Sequence, residues 1–310
     1  MNATTPQPRF HWQHLLALGC IAYATFTTYD DRLRIEQMLI VAAVVFMAYA
    51  GERTRALLTA FLPLLLAGVV YDSMRFYSAA LGHRMHVEDV FRLERTLFRI
   101  RMADDMPTPN EFLDRYHARW LDLVCAGVYL LCLWVPASFM LILHKYREQR
   151  RLRYFAWSFF ALSMLGFITY FVYPAAPPWY VSKYGFAAPE TVVEGDPACL
   201  ARCDLRLGVP VFTWWYTRAP EVLCSLPALN VAYAMLTLCF TFDVSGTMAR
   251  RMFWYVLAIN FAAVYLNQHY VLDIALGNAY AVAVYNVARW LMKRFEPAVR
   301  VFPHPAPRYP

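Results

Sequence analysis

Tyr154-Phe155-Ala156-Trp157-Ser158-Phe159-Phe160-Ala161-Leu162-Ser163-Met164-Leu165-Gly166-Phe167-Ile168-Thr169-Tyr170-Phe171-Val172-Tyr173 contains no charged residue, with Arg150, Arg151 and Arg153 before it and Pro174 after it. A helix rises about 1.5 Å per residue, so this stretch is long enough to cross the roughly 30 Å hydrocarbon layer of a bilayer. Similar apolar runs lie at His14 to Tyr29, Gln37 to Ala50, Ala56 to Tyr77, Trp120 to His144, Val222 to Phe242, Phe253 to Leu266 and Tyr270 to Met292. Sixty per cent of the 310 residues are hydrophobic and only 16% are charged. These observations predict an all-α, polytopic integral membrane bundle of about eight helices. The first two spans and the seventh are short for the task.

The net charge of +7 is concentrated in particular connections. Lys145, Arg147, Arg150, Arg151 and Arg153 lie between the fourth and fifth spans. Arg250 and Arg251 lie between the sixth and seventh, and Arg289, Lys293 and Arg294 close the last. Positive residues collect on the cytoplasmic side of membrane proteins, so this is a topology signal and not a nucleic-acid patch. It predicts that both termini are cytoplasmic and that the long loop from Pro174 to Glu221 is extracytoplasmic, as is the turn before His269. The N-terminal run Leu15 to Tyr23 has no clear cleavage site and reads as a retained span. A bacterial inner membrane is the expected location. Residues 1–54 form an N-terminal pair of spans, 55–296 a six-helix core and 297–310 a proline-rich, disordered cytoplasmic tail. Cys199 and Cys203 fall in the long loop, where an oxidising compartment permits either a disulfide or two free thiols.

Within this apolar chain, His269-Tyr270-Val271-Leu272-Asp273 places an ionisable pair at i and i+4, on one helix face. Ionisable groups are costly in membrane segments, so the pair suggests function. Asp273 can hold one imidazole nitrogen as a donor and leave the other free to attack phosphorus. The structural alternative is a polar pair joining two helices.

Ser225-Leu226-Pro227 reads as a capped helix start with the N–H groups of Ala228, Leu229 and Asn230 pointing outward, where a phosphate could sit. Tyr173-Pro174-Ala175-Ala176-Pro177-Pro178-Trp179-Tyr180 stops the fifth span and supplies interfacial aromatics. Tyr173 and Trp179 are candidate walls of a lipid-headgroup pocket, with Trp214, Trp215 and Tyr216 farther along the loop. Arg75, Lys183 and Arg218 are candidate phosphate contacts. The stretch from His86 to Arg101 is amphipathic, with Val87, Val90, Phe91, Leu93, Leu97, Phe98 and Ile100 apolar, and is expected along the outer interface. His83 and His86 have no convergent third ligand, so no metal is expected. No nucleotide fingerprint occurs and no cofactor is expected.

Over roughly Tyr71 to Gly277 the chain resembles the type 2 phosphatidic acid phosphatase superfamily, in the branch of the inositol phosphorylceramide synthases and their bacterial relatives. The resemblance is carried by Tyr173 to Trp179, Pro227 to Asn230 and His269 to Asp273, and weakly by Tyr71 to Arg75. It implies a six-helix core in the third to eighth spans, a phospholipid or polyprenyl phosphate substrate, His269 as nucleophile and Asp273 as its orienting partner. It also implies a second, acid/base histidine at the end of a Pro-Ser-Leu-His string. This chain reads Pro227-Ala228-Leu229-Asn230 there. Asparagine moves no proton near neutral pH, and loss of a general acid costs about 10²- to 10⁴-fold in rate. Two functions therefore stand: a lipid phosphotransferase or phosphatase, and a non-enzymatic lipid-binding or scaffold protein on the same fold.

Overall fold

The computed structural model of the chain describes residues 12–29, 34–103, 105–187, 196–217 and 224–295. Among these residues the regular structure is helical, and the one β contact is an isolated parallel bridge between His86 and Ala175. They form two compact units that divide between Leu62 and Pro63. In the first, α1 (Trp12–Tyr29) packs against α2 (Ile35–Tyr49), and the His14 ring nitrogen Nδ1 lies 2.8 Å from the Tyr49 hydroxyl. The helix α3 (Glu52–Ser73) carries the boundary at its Pro63.

The second unit continues through a 3-10 turn at Met74–Tyr77 into three short helices, α4 (Ser78–Gly82), α5 (Glu88–Phe98) and α6 (Pro109–Arg115). α5 buries Val90, Phe91 and Glu94, whereas Leu93 and Leu97 are exposed. An apolar count therefore misplaces the inner face, because a carboxylate belongs to it.

The run from Trp120 to His144, expected as one span, is broken into α7 (Arg119–Leu130) and α8 (Trp134–Lys145), bent by 45°. Pro136 accounts for the break: it offers no N–H to the Cys132 carbonyl four residues back, and its ring crowds that oxygen. α9 (Gln149–Val172) follows, starting five residues before the uncharged run, and Pro174 lies just past its end. The connection after it holds α10 (Pro178–Tyr184), α11 (Ala201–Leu207) and α12 (Val211–Tyr216). Cys199 and Cys203 are free thiols, turned to separate acceptors: Asp114 Oδ1 and the Asp122 carbonyl, each at 3.4 Å.

α13 (Leu229–Phe242) is the centre of the bundle, packed against α8, α9, α14 (Gly246–Tyr265) and α15 (Val271–Phe295). Val231, Ala232, Ala234 and Leu236 have no exposed surface, which suits a helix apolar on every side. α3, α9 and α15 are long and apolar enough to cross a bilayer, and α7 with α8 makes a fourth if the bent pair is one span. Shorter apolar helices cover 14–27, 37–49 and 229–242.

At one end of this unit the entries of α13 and α15 meet the exit of α9. The Ser225 N–H donates to the Ala175 carbonyl and the Ala228 N–H to the Asp273 carbonyl, at 2.9 and 3.0 Å. His269 sits in this junction.

Candidate active site

The turn that carries His269 is built by the end of α14. Asn267 adopts a left-handed conformation with φ of 60°, which asparagine tolerates better than most side chains. Its N–H donates to the Val264 carbonyl and the Gln268 N–H to the Ala263 carbonyl, both at 3.0 Å, which is a Schellman ending. Asn110 of α6, 3% exposed, clamps the turn: its Nδ2 donates to the carbonyls of Val264 and His269 at 3.1 and 3.0 Å.

α15 then begins with its free amides already engaged. Asp273, at the third helical position, accepts from the Tyr270 N–H through Oδ2 at 2.8 Å, the back-half of a capping box. Glu94 reaches across from α5 and takes the N–H groups of Val271 and Leu272, one on each carboxylate oxygen, both at 3.0 Å. Burial pushes the Glu94 carboxyl up to about 7; the two amides pull the other way, and nearby Asp273 adds to the rise.

The His269 ring is fixed by its neighbours. Nδ1 lies 3.1 Å from the Ser225 carbonyl, which can only accept, so Nδ1 carries the proton and Nε2 presents its lone pair. Asp273 Oδ2 stands 3.8 Å from Nδ1, ion-pair range but longer than a hydrogen bond. The orienting contact expected from Asp273 is thus made by a backbone carbonyl. Asp273, with no exposed surface, stands beside the ring instead of holding it. Nε2 faces the Tyr129 hydroxyl at 3.4 Å, and Asn230 Nδ2 donates to that hydroxyl at 2.6 Å.

These groups form the polar wall of a cavity of about 470 Å³. His269, Gln268, Ser225, Asn230 and Asp196 contribute polar atoms; Leu64, Ala67, Phe159, Phe167 and Leu229 supply apolar surface; Trp179, Trp215 and Tyr216 supply aromatic surface. Residues at the α7–α8 break, Leu130, Cys132, Leu133 and Trp134, also line it. A small polar end joined to a long apolar remainder suits an amphiphile, with its headgroup at His269 and its tail among the α3, α9 and α13 side chains.

Several expected contacts lie elsewhere. The helix predicted to open at Pro227 starts two residues later, after a cis Leu226–Pro227 peptide. The Ala228 amide, expected to face an anion, is spent on the Asp273 carbonyl, because α13 and α15 approach backbone to backbone. Ser225 is not a cap; its hydroxyl lies 3.3 Å from both the Ala175 and Ala176 carbonyls. Tyr173 is outside the cavity, donating to Asp89 at 2.7 Å and stacked on His86 at 3.9 Å. Arg75 is turned onto Asp72, three residues back, and is no part of the lining. Lys183 also stays outside, although it donates at 2.6 Å to Asp196, which lines the cavity. Arg218 lies outside the described residues.

The chain is similar to known proteins over most of its length. The family model described as the PAP2 superfamily matches residues 89–287. The phosphoinositol dihydroceramide synthase of Bacteroides thetaiotaomicron is 33% identical over 255 residues, 79% of this chain and 81% of that protein. The inositol phosphorylceramide synthase of Candida albicans is 26% identical over 186 residues, covering 55% of this chain and 38% of its own length. The inositol phosphorylceramide synthase catalytic subunit of Saccharomyces cerevisiae is 26% identical over 129 residues, 42% and 32% of the two chains. No solved structure matches the chain.

Proposed function

Since the chain belongs to the PAP2 superfamily, we propose that this integral membrane protein is a lipid phosphotransferase that moves a phosphoryl-linked headgroup through a covalent intermediate on His269. By similarity to the bacterial synthase, the group is phosphoinositol and the acceptor dihydroceramide. The observation that carries the reading is the state of the His269 ring: Nδ1–H is held on the Ser225 carbonyl, and the Nε2 lone pair is turned into an apolar cavity of lipid character.

In the first half-reaction Nε2 bonds to phosphorus as the bond to the donor's glycerol oxygen breaks. The imidazole becomes cationic and Asp273, at 3.8 Å, stabilises it. In the second half the acceptor hydroxyl attacks phosphorus and frees the histidine. The basic connections of the sequence argue for a cavity mouth on the extracytoplasmic side.

The test is headgroup transfer by purified protein. Phosphatidylinositol would be paired with ceramide acceptors, and phosphatidic acid and a polyprenyl pyrophosphate tried as competing substrates. His269→Ala should abolish turnover, and the wild type should accumulate an acid-labile phosphorylated histidine when acceptor is withheld. Transfer that survives His269→Ala would refute the mechanism. The second reading, a lipid binder without turnover, draws on Asn230, which stands at the cavity wall where an acid/base histidine is implied. Lipid binding with no transfer from any donor would favour it.

A further inference from the structure

A nucleophilic imidazole solves only half of an ester transfer, because the departing glycerol oxygen must also receive a proton. Asn230 has none to give at neutral pH. The cavity nevertheless holds a hydroxyl at the reactive nitrogen. Tyr129 is 6% exposed, one residue before the end of α7, and its oxygen lies 2.6 Å from Asn230 Nδ2 and 3.4 Å from His269 Nε2.

The directions of these contacts are fixed by chemistry. The amide nitrogen of Asn230 can only donate, so the Tyr129 oxygen accepts from it and keeps its own proton to give. His269 Nδ1–H is committed to the Ser225 carbonyl, so Nε2 can only accept. The chain therefore runs from Asn230 N–H to Tyr129 O–H to His269 Nε2. Two other lining hydroxyls are engaged: Tyr170 donates to the Pro227 carbonyl at 2.9 Å, and Tyr216 donates to Gln268 Oε1 at 3.0 Å and also hydrogen-bonds the Tyr129 hydroxyl.

We infer that Tyr129 is the proton donor to the leaving oxygen, with Asn230 holding the phenolate that results. The inference rests on His269 being the nucleophile. Phosphorus arriving at Nε2 displaces the Tyr129 hydrogen bond and frees the O–H for an oxygen on phosphorus. As the Nε2–P bond forms and the P–O bond to glycerol breaks, the Tyr129 proton passes to the departing alkoxide, giving neutral diacylglycerol and a phenolate that accepts from Asn230. In the second half the acceptor hydroxyl gives its proton to the phenolate while its oxygen bonds to phosphorus and the Nε2–P bond breaks. Both residues return to their starting forms. A phenol, with an ordinary pKa near ~10, is a weaker acid than imidazolium but a stronger one than an aliphatic alcohol.

The experiment compares two donors of the same headgroup: phosphatidylinositol, whose leaving alkoxide needs a proton, and a synthetic diester in which p-nitrophenoxide takes the place of diacylglycerol. First-turnover release is read for wild type, Tyr129→Phe, and Tyr129→Phe combined with Asn230→His. Tyr129→Phe should slow diacylglycerol release by about 10²- to 10⁴-fold and p-nitrophenol release far less. Adding Asn230→His should restore much of the lipid-donor rate. An equal loss on both donors that the histidine does not repair overturns the inference and leaves His269 as nucleophile. No first-turnover release by the wild type from either donor, or release that persists in His269→Ala, overturns the proposed function and this inference with it.

Discussion

Glu94 shows how one side chain can couple two distant parts of the site. Its carboxylate closes the entry of α15, the helix that carries Asp273, and it is buried from the opposite side by α5. Its folded pKa of about 7 lies above the ordinary value of 4.5. The folded state therefore binds this proton more tightly than the unfolded chain, and by linkage the group's stabilising contribution is full below about 4.5 and is lost as pH rises through about 7. Thermal unfolding of the detergent-solubilised protein should show wild-type stability falling over that window by more than that of Glu94→Gln, which has no carboxyl to titrate. Identical slopes would contradict the assignment. At this scale the His269–Asp273 pair was legible as two ionisable residues four apart in an apolar stretch, although His269 stands in the turn before α15 and not on the helix face expected for it. Glu94, Asn110 and Tyr129 were not, because their partners lie 177, 159 and 140 residues away in sequence. An apolar tally of α5 even pointed past Glu94 to Leu93 and Leu97, which are exposed.

Among the elements, the approach of α13 to α15 matters most, because it brings Asn230 and His269 onto one cavity. Gly277 makes that approach possible: a Cβ there would lie 2.7 Å from the Ala228 carbonyl oxygen, a backbone atom that cannot rotate away. Gly277→Ala should therefore destabilise the protein by about 1–3 kcal/mol, as overpacking does, and move the Asn230 end of the site. Gly166→Ala offers a contrast on α9, where the added carbon meets the flexible Leu229 side chain. Its effect on the unfolding midpoint should be smaller, and the reverse order would refute the account. The α7–α8 break belongs to this scale as well. Pro136 was visible in the sequence, but the long apolar run around it reads as one span, since hydropathy carries no record of a bend. The break places Tyr129 on the same cavity as Leu133 and Trp134.

The second unit is a helix bundle in which two basic pairs lie far from the candidate site. Arg250 and Arg251 start α14, and Lys293 and Arg294 end α15, so both pairs sit a helix length from the turn holding His269. A membrane-impermeant maleimide applied to intact cells should label Lys183→Cys, and should label Lys145→Cys only after permeabilisation, with the unsubstituted protein as control. Labelling in the opposite order would invert the orientation. The sequence by itself determined the helical class, the membrane as solvent, the likeness to a lipid phosphotransferase family and the identity of the His269–Asp273 pair. All of these rest on local quantities: length of apolar run, sign of flanking charge and spacing along the chain. Only the tertiary structure decided that Ser225 and not Asp273 orients the imidazole, that the Ala228 amide is unavailable to a phosphate, and that Tyr129 stands between Asn230 and His269 Nε2. Those are contacts between segments distant along the chain, set by how closely helices pack, and no local pattern encodes that distance.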